Sequence, residues 1–89
     1  MTPETQYWAV LWDGDDISRP RTIVRSRPSD DGPVEEILGG EGTWRPTGVL
    51  ALHRLNLYEH ELAPLAPEAA LAFEQARLDR LRAAPPADR

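Results

Sequence analysis

Few side chains in this chain are equipped for bond-making chemistry, and their spacing is uninformative. His53 and His60 stand seven residues apart, with Glu59 and Glu61 flanking the second. A zinc site needs three or four converging ligands. This spacing fits no established ligand pattern and puts the histidines on different expected elements, so they read as surface or half-buried residues. With no cysteine in the chain, thiolate metal sites, disulfides and a cysteine nucleophile are all excluded. Asp13, Asp15 and Asp16 offer carboxylates, but a calcium loop opened at Asp13 needs glutamate at its twelfth position, which is Val24. The acidic cluster therefore reads as a turn.

Hydroxyl nucleophiles fare no better. Ser18, Ser26 and Ser29 lie in no nucleophile-elbow pattern, and no local arrangement pairs them with a histidine base and an acidic orienter. Gly39-Gly40-Glu41-Gly42 is glycine-rich but lacks the spacing and the lysine of a phosphate-binding loop, and it does not match the dinucleotide fingerprint. Glu35 and Glu36 are adjacent, so on a strand they point to opposite faces and cannot act on one bond. A chain this short also has little volume with which to enclose a deep pocket. The expectation is a protein that is not an enzyme and carries no cofactor or metal.

The sharpest feature is a run of arginines. All ten basic residues are arginine, against fifteen acidic ones, giving a net charge of -5. Along the chain the charge is blocked: acidic at Asp13–Asp16, basic at Arg19, Arg21, Arg25 and Arg27, acidic again from Asp30 to Glu41. Strand alternation puts Arg21, Ile23, Arg25 and Arg27 on one face. Two readings stand. The guanidiniums form a strip that grips carboxylates or phosphates in bidentate fashion, or they pair with Asp30, Asp31, Glu35 and Glu36 on the next strand as a solvated face. Trp44, just after the glycines, is in the same way either a core anchor or an exposed contact residue. The candidate partner-binding set is thus Arg19, Arg21, Arg25, Arg27 and Trp44.

The elements that must position these residues are legible from propensity and breakers. Gln6 to Trp12 is aromatic and branched and reads as a strand, with Trp8, Val10 and Trp12 on one side and Tyr7, Ala9 and Leu11 on the other. Its nearly continuous apolar character suits a central strand covered on both faces. Arg21 to Arg27 and Val34 to Leu38 read as further strands of an antiparallel meander, separated by turns rich in Asp, Gly and Pro. Thr47 is placed to cap a short helix from Gly48 through Leu55. Leu57 to Leu62 fits an edge strand or extended segment. Pro67 suits the first position of a helix running to about Ala83, with Leu71, Leu78 and Leu81 on one stripe, Ala70 beside it and Phe73 at its flank. The expected order is β-β-β-α-β-α: a small α+β domain whose antiparallel sheet of three to four strands carries a short helix and a C-terminal helix on one face. Residues 6–83 form that single domain, with a flexible N-terminus at 1–5 and a flexible tail at 84–89.

An aromatic first strand, an acidic Asp-Gly turn, a strand containing Arg25 and the Gly-x-Trp-x-Pro-Thr box at Gly42–Thr47 together resemble a group of short uncharacterised actinobacterial proteins. The likeness spans roughly residues 7 to 80, and the lysine-free composition rich in Ala, Arg and Pro agrees with it. No activity or site residue comes with this resemblance. By elimination, the chain reads as a cytoplasmic, non-enzymatic protein-interaction or accessory module, without a membrane span, and able to dimerise through an uncovered edge strand at Arg21–Arg27 or Leu57–Leu62. The alternative is a nucleic-acid-associated regulator using the strip from Arg19 to Arg27, against which the net negative charge argues.

Overall fold

A computed structural model describes residues 4–83. The expected tail at 84–89 and the first three residues of the expected N-terminal segment lie outside that range, while Glu4 and Thr5 lead into the first strand without regular structure. The order is β1 (Gln6–Leu11), β2 (Thr22–Arg27), β3 (Val34–Leu38), β4 (Trp44–Pro46), α1 (Val49–Arg54), β5 (Glu61–Leu65) and α2 (Pro67–Ala83). The five strands form one antiparallel sheet in the order β4-β3-β2-β1-β5. The α+β reading holds, with a fifth strand supplied by the Trp44–Pro46 segment of the box.

Both faces of the sheet are covered, by different helices. On one, Val10 and Val24 pack with Leu50 of α1 and Leu62, joined by Trp8, Ile37, Val49 and Tyr58. On the other, Ile23 and Leu38 pack with Ala70 of α2, joined by Tyr7, Trp44, Leu65 and Phe73. The two helices therefore do not share a face. The reason is visible in β2, where the neighbours Ile23 and Val24 are both fully buried and point to opposite sides. Each side needs its own cover.

β2 is the middle strand, so Arg21–Arg27 is not an edge open to a second copy. The edges are β4, three residues long and ending in Pro46, and β5, which contains Pro64. A proline on an edge removes a donor where none is needed and blunts further pairing. β5 begins four residues later than Leu57, because the turn after α1 falls at Leu55 and Asn56, which takes a positive φ of 60°, and residues 57–60 lead into the strand without regular structure. At the start of α1, Gly48 occupies the cap position, and the Thr47 hydroxyl accepts the Val49 N–H at 3.2 Å.

α2 begins at Pro67 and ends at Ala83, as the proline and the helix formers imply. Its sheet-facing stripe differs from expectation. Ala70 is buried and Phe73, Glu74, Arg77 and Leu78 are half-buried, whereas Leu71 is 58% exposed. These positions follow the i, i+3, i+4, i+7, i+8 spacing of one helix face, but that face is half polar.

Candidate functional site

The arginine strip divides into two halves with different fates. Arg25 stands opposite Glu36 across β2 and β3, and its Nε donates to Glu36 Oε1 at 2.8 Å. Arg27 donates to the same carboxylate through Nε at 2.9 Å and Nη2 at 3.4 Å. These contacts, Arg27 first, hold the Glu36 carboxyl below the usual glutamate range although burial opposes them, and Glu36 raises Arg27 in return. The Arg25 guanidinium lies 4.1 Å from the Trp44 ring centroid, and the Trp44 indole N–H donates to Glu74 Oε2 on α2 at 3.1 Å. Arg25 and Trp44 thus tie the sheet to α2 through Glu74, while Arg27 pairs with Glu36 inside the sheet. The cross-strand pairing reading describes this half, and Trp44 is an anchor.

Arg19 and Arg21 sit elsewhere, at the end of the sheet where β1 runs out and β2 begins. Together with Arg77 and Arg80 of α2, and with Phe73 and Pro20, they line a cleft of about 580 Å³. Arg77 is the organising member. Its Nη1 reaches Thr22 Oγ1 at 3.1 Å, the Gly39 carbonyl at 3.2 Å and the Leu38 carbonyl at 3.4 Å, while Nη2 donates to the Arg21 carbonyl at 3.0 Å. The guanidinium also lies 4.9 Å from the Phe73 ring centroid. Burial first, and the like charge of Arg80 second, hold Arg77 below the ordinary arginine value.

One carboxylate faces these four arginines. Asp15 Oδ2 accepts Arg21 Nε at 3.0 Å and the Trp12 backbone N–H at 2.9 Å, which fixes the turn after β1 and the arginine together. Among the described residues, Arg19, Arg77 and Arg80 have no acidic side chain within ion-pair distance. A second cleft of about 700 Å³ adjoins the first, because Arg21 and Arg77 line both. Its walls are mostly apolar: Val10, Ile37, Leu38 and Tyr58 contribute, with Trp12 and His60, while Thr22 and the Glu59 carboxylate also line it. His60 stacks on Trp12 with ring centroids 4.9 Å apart and 20° between planes, and Tyr58 meets His60 edge-on at 5.4 Å. The Arg21 guanidinium lies 4.5 Å from the Trp12 ring centroid. Burial, and then the charge of Glu59, push the Tyr58 hydroxyl above its ordinary value.

No family model, no curated protein and no solved structure matches this chain.

His53 is exposed in the last turn of α1, apart from the Trp12–His60 stack, so the two histidines serve different surroundings. Among the described residues no three of His, Asp and Glu gather to hold a metal ion. No helix there is long and apolar enough to cross a membrane. The residues that complete the cleft, Arg77 and Arg80, were legible in the sequence only as favourable charges near a helix C-terminus. What draws Arg77 inward is a set of backbone carbonyls and one hydroxyl, for which residue spacing carries no mark. The resulting arrangement is suited to receiving anions: guanidiniums present hydrogen-bond forks, keep their charge at physiological pH and do not exchange protons with a ligand.

Proposed function

We propose that the chain is a small, non-enzymatic protein-interaction module that grips an acidic segment of a partner protein in the cleft between residues 15–21 and α2. The observation that carries this reading is the charge imbalance there, with Arg19, Arg21, Arg77 and Arg80 around a single carboxylate, Asp15. Arg77 is already held in place by four hydrogen bonds, so it loses little freedom when a carboxylate arrives. The net charge of -5 does not forbid this. At physiological salt, exposed charges more than about 8 Å apart are largely screened, so the local cleft decides. A cytoplasmic setting goes with this reading and is in keeping with a cysteine-free chain.

The same forks fit phosphate, which keeps a nucleic-acid partner as the second reading. The global excess of acid weighs against it, because nucleic-acid binding draws on long-range attraction to many phosphates. The test is a fluorescence-anisotropy titration with a labelled ten-residue Asp/Glu peptide and, separately, a labelled single-stranded oligonucleotide, at low and physiological salt. The expected result is saturable binding of the peptide that is lost in the Arg19→Ala/Arg80→Ala double variant. Binding of the oligonucleotide alone, steeply weakened by salt and lost in the same variant, would move the conclusion to the second reading. Indifference of both ligands to the variant would remove the cleft from the function altogether.

A further inference from the structure

The apolar cleft beside the arginines narrows the chemistry of the partner. It shares Arg21 and Arg77 with the basic cleft, so the two are one surface that changes character across those guanidiniums. Beyond them the lining turns to Ile37 and Tyr58, half-buried members of the α1-side core, with the buried Val10 and Leu38 behind them and Glu59 beside Tyr58. The adjoining rim residue Trp12 remains 46% exposed although it carries a stacked histidine and an arginine. An apolar hollow of this size stays open to water at a cost, and exposed apolar surface edged by charge marks a place where another chain is recognised. The charge of its lining says which: Arg21 and Arg77 outnumber the one carboxylate there, Glu59, and favour a carboxylate beside them next to whatever fills the hollow.

Building on the proposed function, we infer that the recognised segment is an acidic stretch of a partner protein bearing a bulky apolar residue, whose side chain enters the hollow at Ile37 and Tyr58 while neighbouring carboxylates engage Arg21 and Arg77. The apolar residue supplies affinity and register, and the carboxylates supply orientation. A purely acidic peptide uses half the surface.

Two labelled ten-residue Asp/Glu peptides test this, identical except for phenylalanine or serine at one central position, titrated against the full chain. Burying most of a phenylalanine side chain favours the first peptide by about tenfold or more in Kd. The blocking variant is Gly40→Leu. Gly40 lines the hollow, and a Cβ there meets nothing within 4 Å, so a leucine can occupy the mouth without displacing the fold. An unchanged urea midpoint verifies that. The expected result is that Gly40→Leu cuts the phenylalanine preference to less than about twofold, while Arg80→Ala weakens both peptides and keeps the preference. Equal binding of the two peptides, still dependent on the arginines, would overturn this inference and leave the proposed function standing. Absence of binding by either peptide would end both. A phenylalanine preference that survives Gly40→Leu places the side chain elsewhere and refutes the assignment, as does a concentration-dependent dimer of the chain alone that Gly40→Leu dissociates, which would give the hollow to a second copy.

Discussion

Replacing Gly42 by alanine measures how tightly α2 is seated on the turn that precedes β4. Gly42 is buried with φ +86°, and a Cβ built there would come within 2.7 Å of Leu78 Cδ2 and 3.1 Å of Leu81 Cδ1. Two costs arise. The left-handed backbone costs an alanine about 1 kcal/mol. The added methyl overpacks the helix contact, for which about 1–3 kcal/mol is typical. Leu81 is 44% exposed and can turn its end aside, which sets the lower end of that range. The half-buried Leu78, on a helix fixed one residue earlier by Arg77, has less room and sets the upper end. The expected loss is about 2–4 kcal/mol, against a total stability of roughly 4–13 kcal/mol for a chain of this length.

Two other glycines separate the terms. Gly14 has φ +85° with nothing within 4 Å of an added Cβ, so Gly14→Ala isolates the backbone cost at about 1 kcal/mol. Gly40 has open space and no positive φ, so Gly40→Ala is neutral or stabilising by up to about 1 kcal/mol through the unfolded chain. Urea unfolding followed by tryptophan fluorescence reads all three. With a slope near 1 kcal/mol per molar, Gly42→Ala moves the midpoint down by about 1–3 M more than Gly14→Ala does. Equal midpoints for these two variants would refute the contact between the 39–42 turn and α2, and with it the placement of Arg77 and Arg80.

Removing the charge in Glu36→Gln leaves Arg25 and Arg27 sharing a neutral amide, and is expected to cost about 1–2 kcal/mol by urea unfolding. The folded-state pKa of Glu36 is depressed, so its contribution is present above the ordinary glutamate value of about 4.3 and is lost as pH falls through the lower folded value. The wild type should therefore lose stability progressively from about pH 5 downward, a decline that extends toward the Glu41 value of about 2, set by the Thr43 hydroxyl, its own backbone and Arg45. Glu36→Gln should flatten the upper part of that curve, and parallel curves for the two proteins would count against the shared pair. Trp44→Phe deletes the bond to Glu74 and weakens the stack with Arg25, for about 1–2 kcal/mol of stability. It should leave the acidic-peptide Kd unchanged, and a tenfold loss of binding would return Trp44 to the partner surface. Arg77→Leu strips donors from the Thr22 hydroxyl and three carbonyls and should cost about 2–3 kcal/mol, whereas Arg80→Ala should stay within about 0.5 kcal/mol of the wild type.

Where residue type and backbone preference agree, the fold was readable before the coordinates. Gln6–Leu11 and Val34–Leu38 carry branched and aromatic residues without breakers, and Pro67 opens a helix because its missing N–H costs nothing at that position. Misreadings fall where a neighbour in space overrides the local signal. The edge segment expected at Leu57 to Leu62 forms instead at Glu61–Leu65, where Pro64 is harmless because β5 is an edge strand. Leucine spacing put Leu71 on the buried stripe of α2, yet the helix is rotated so that Ala70, Phe73 and Arg77 face the sheet. The covering of both faces was implicit in the unbroken apolar run of β1 and in the adjacent Ile23 and Val24, and a two-sided sheet follows once both are weighed. Half of the candidate site, Arg19 and Arg21, was found by charge alone. The other half lies 55 or more residues along the chain, where nothing in the sequence links it to the first.

Arg77 joins the stability of the fold to the occupancy of the cleft. It closes the end of the sheet by donating to carbonyls of Arg21, Leu38 and Gly39, in place of water that would otherwise solvate them. That position keeps its charge partly out of solvent, and the like charge of Arg80 adds a smaller opposing effect. An anion bound between them relieves it, and a ligand that binds only the folded chain stabilises that state by mass action, about 2.7 kcal/mol at one hundred times its Kd. Saturating acidic peptide should therefore raise the unfolding midpoint of the wild type. In Arg80→Ala the repulsion is already gone and the second fork is missing, so the rise should shrink although the unliganded midpoint barely moves. A protein whose midpoint ignores the peptide, or rises equally in both, would show that the guanidiniums at this end of the sheet serve the fold alone.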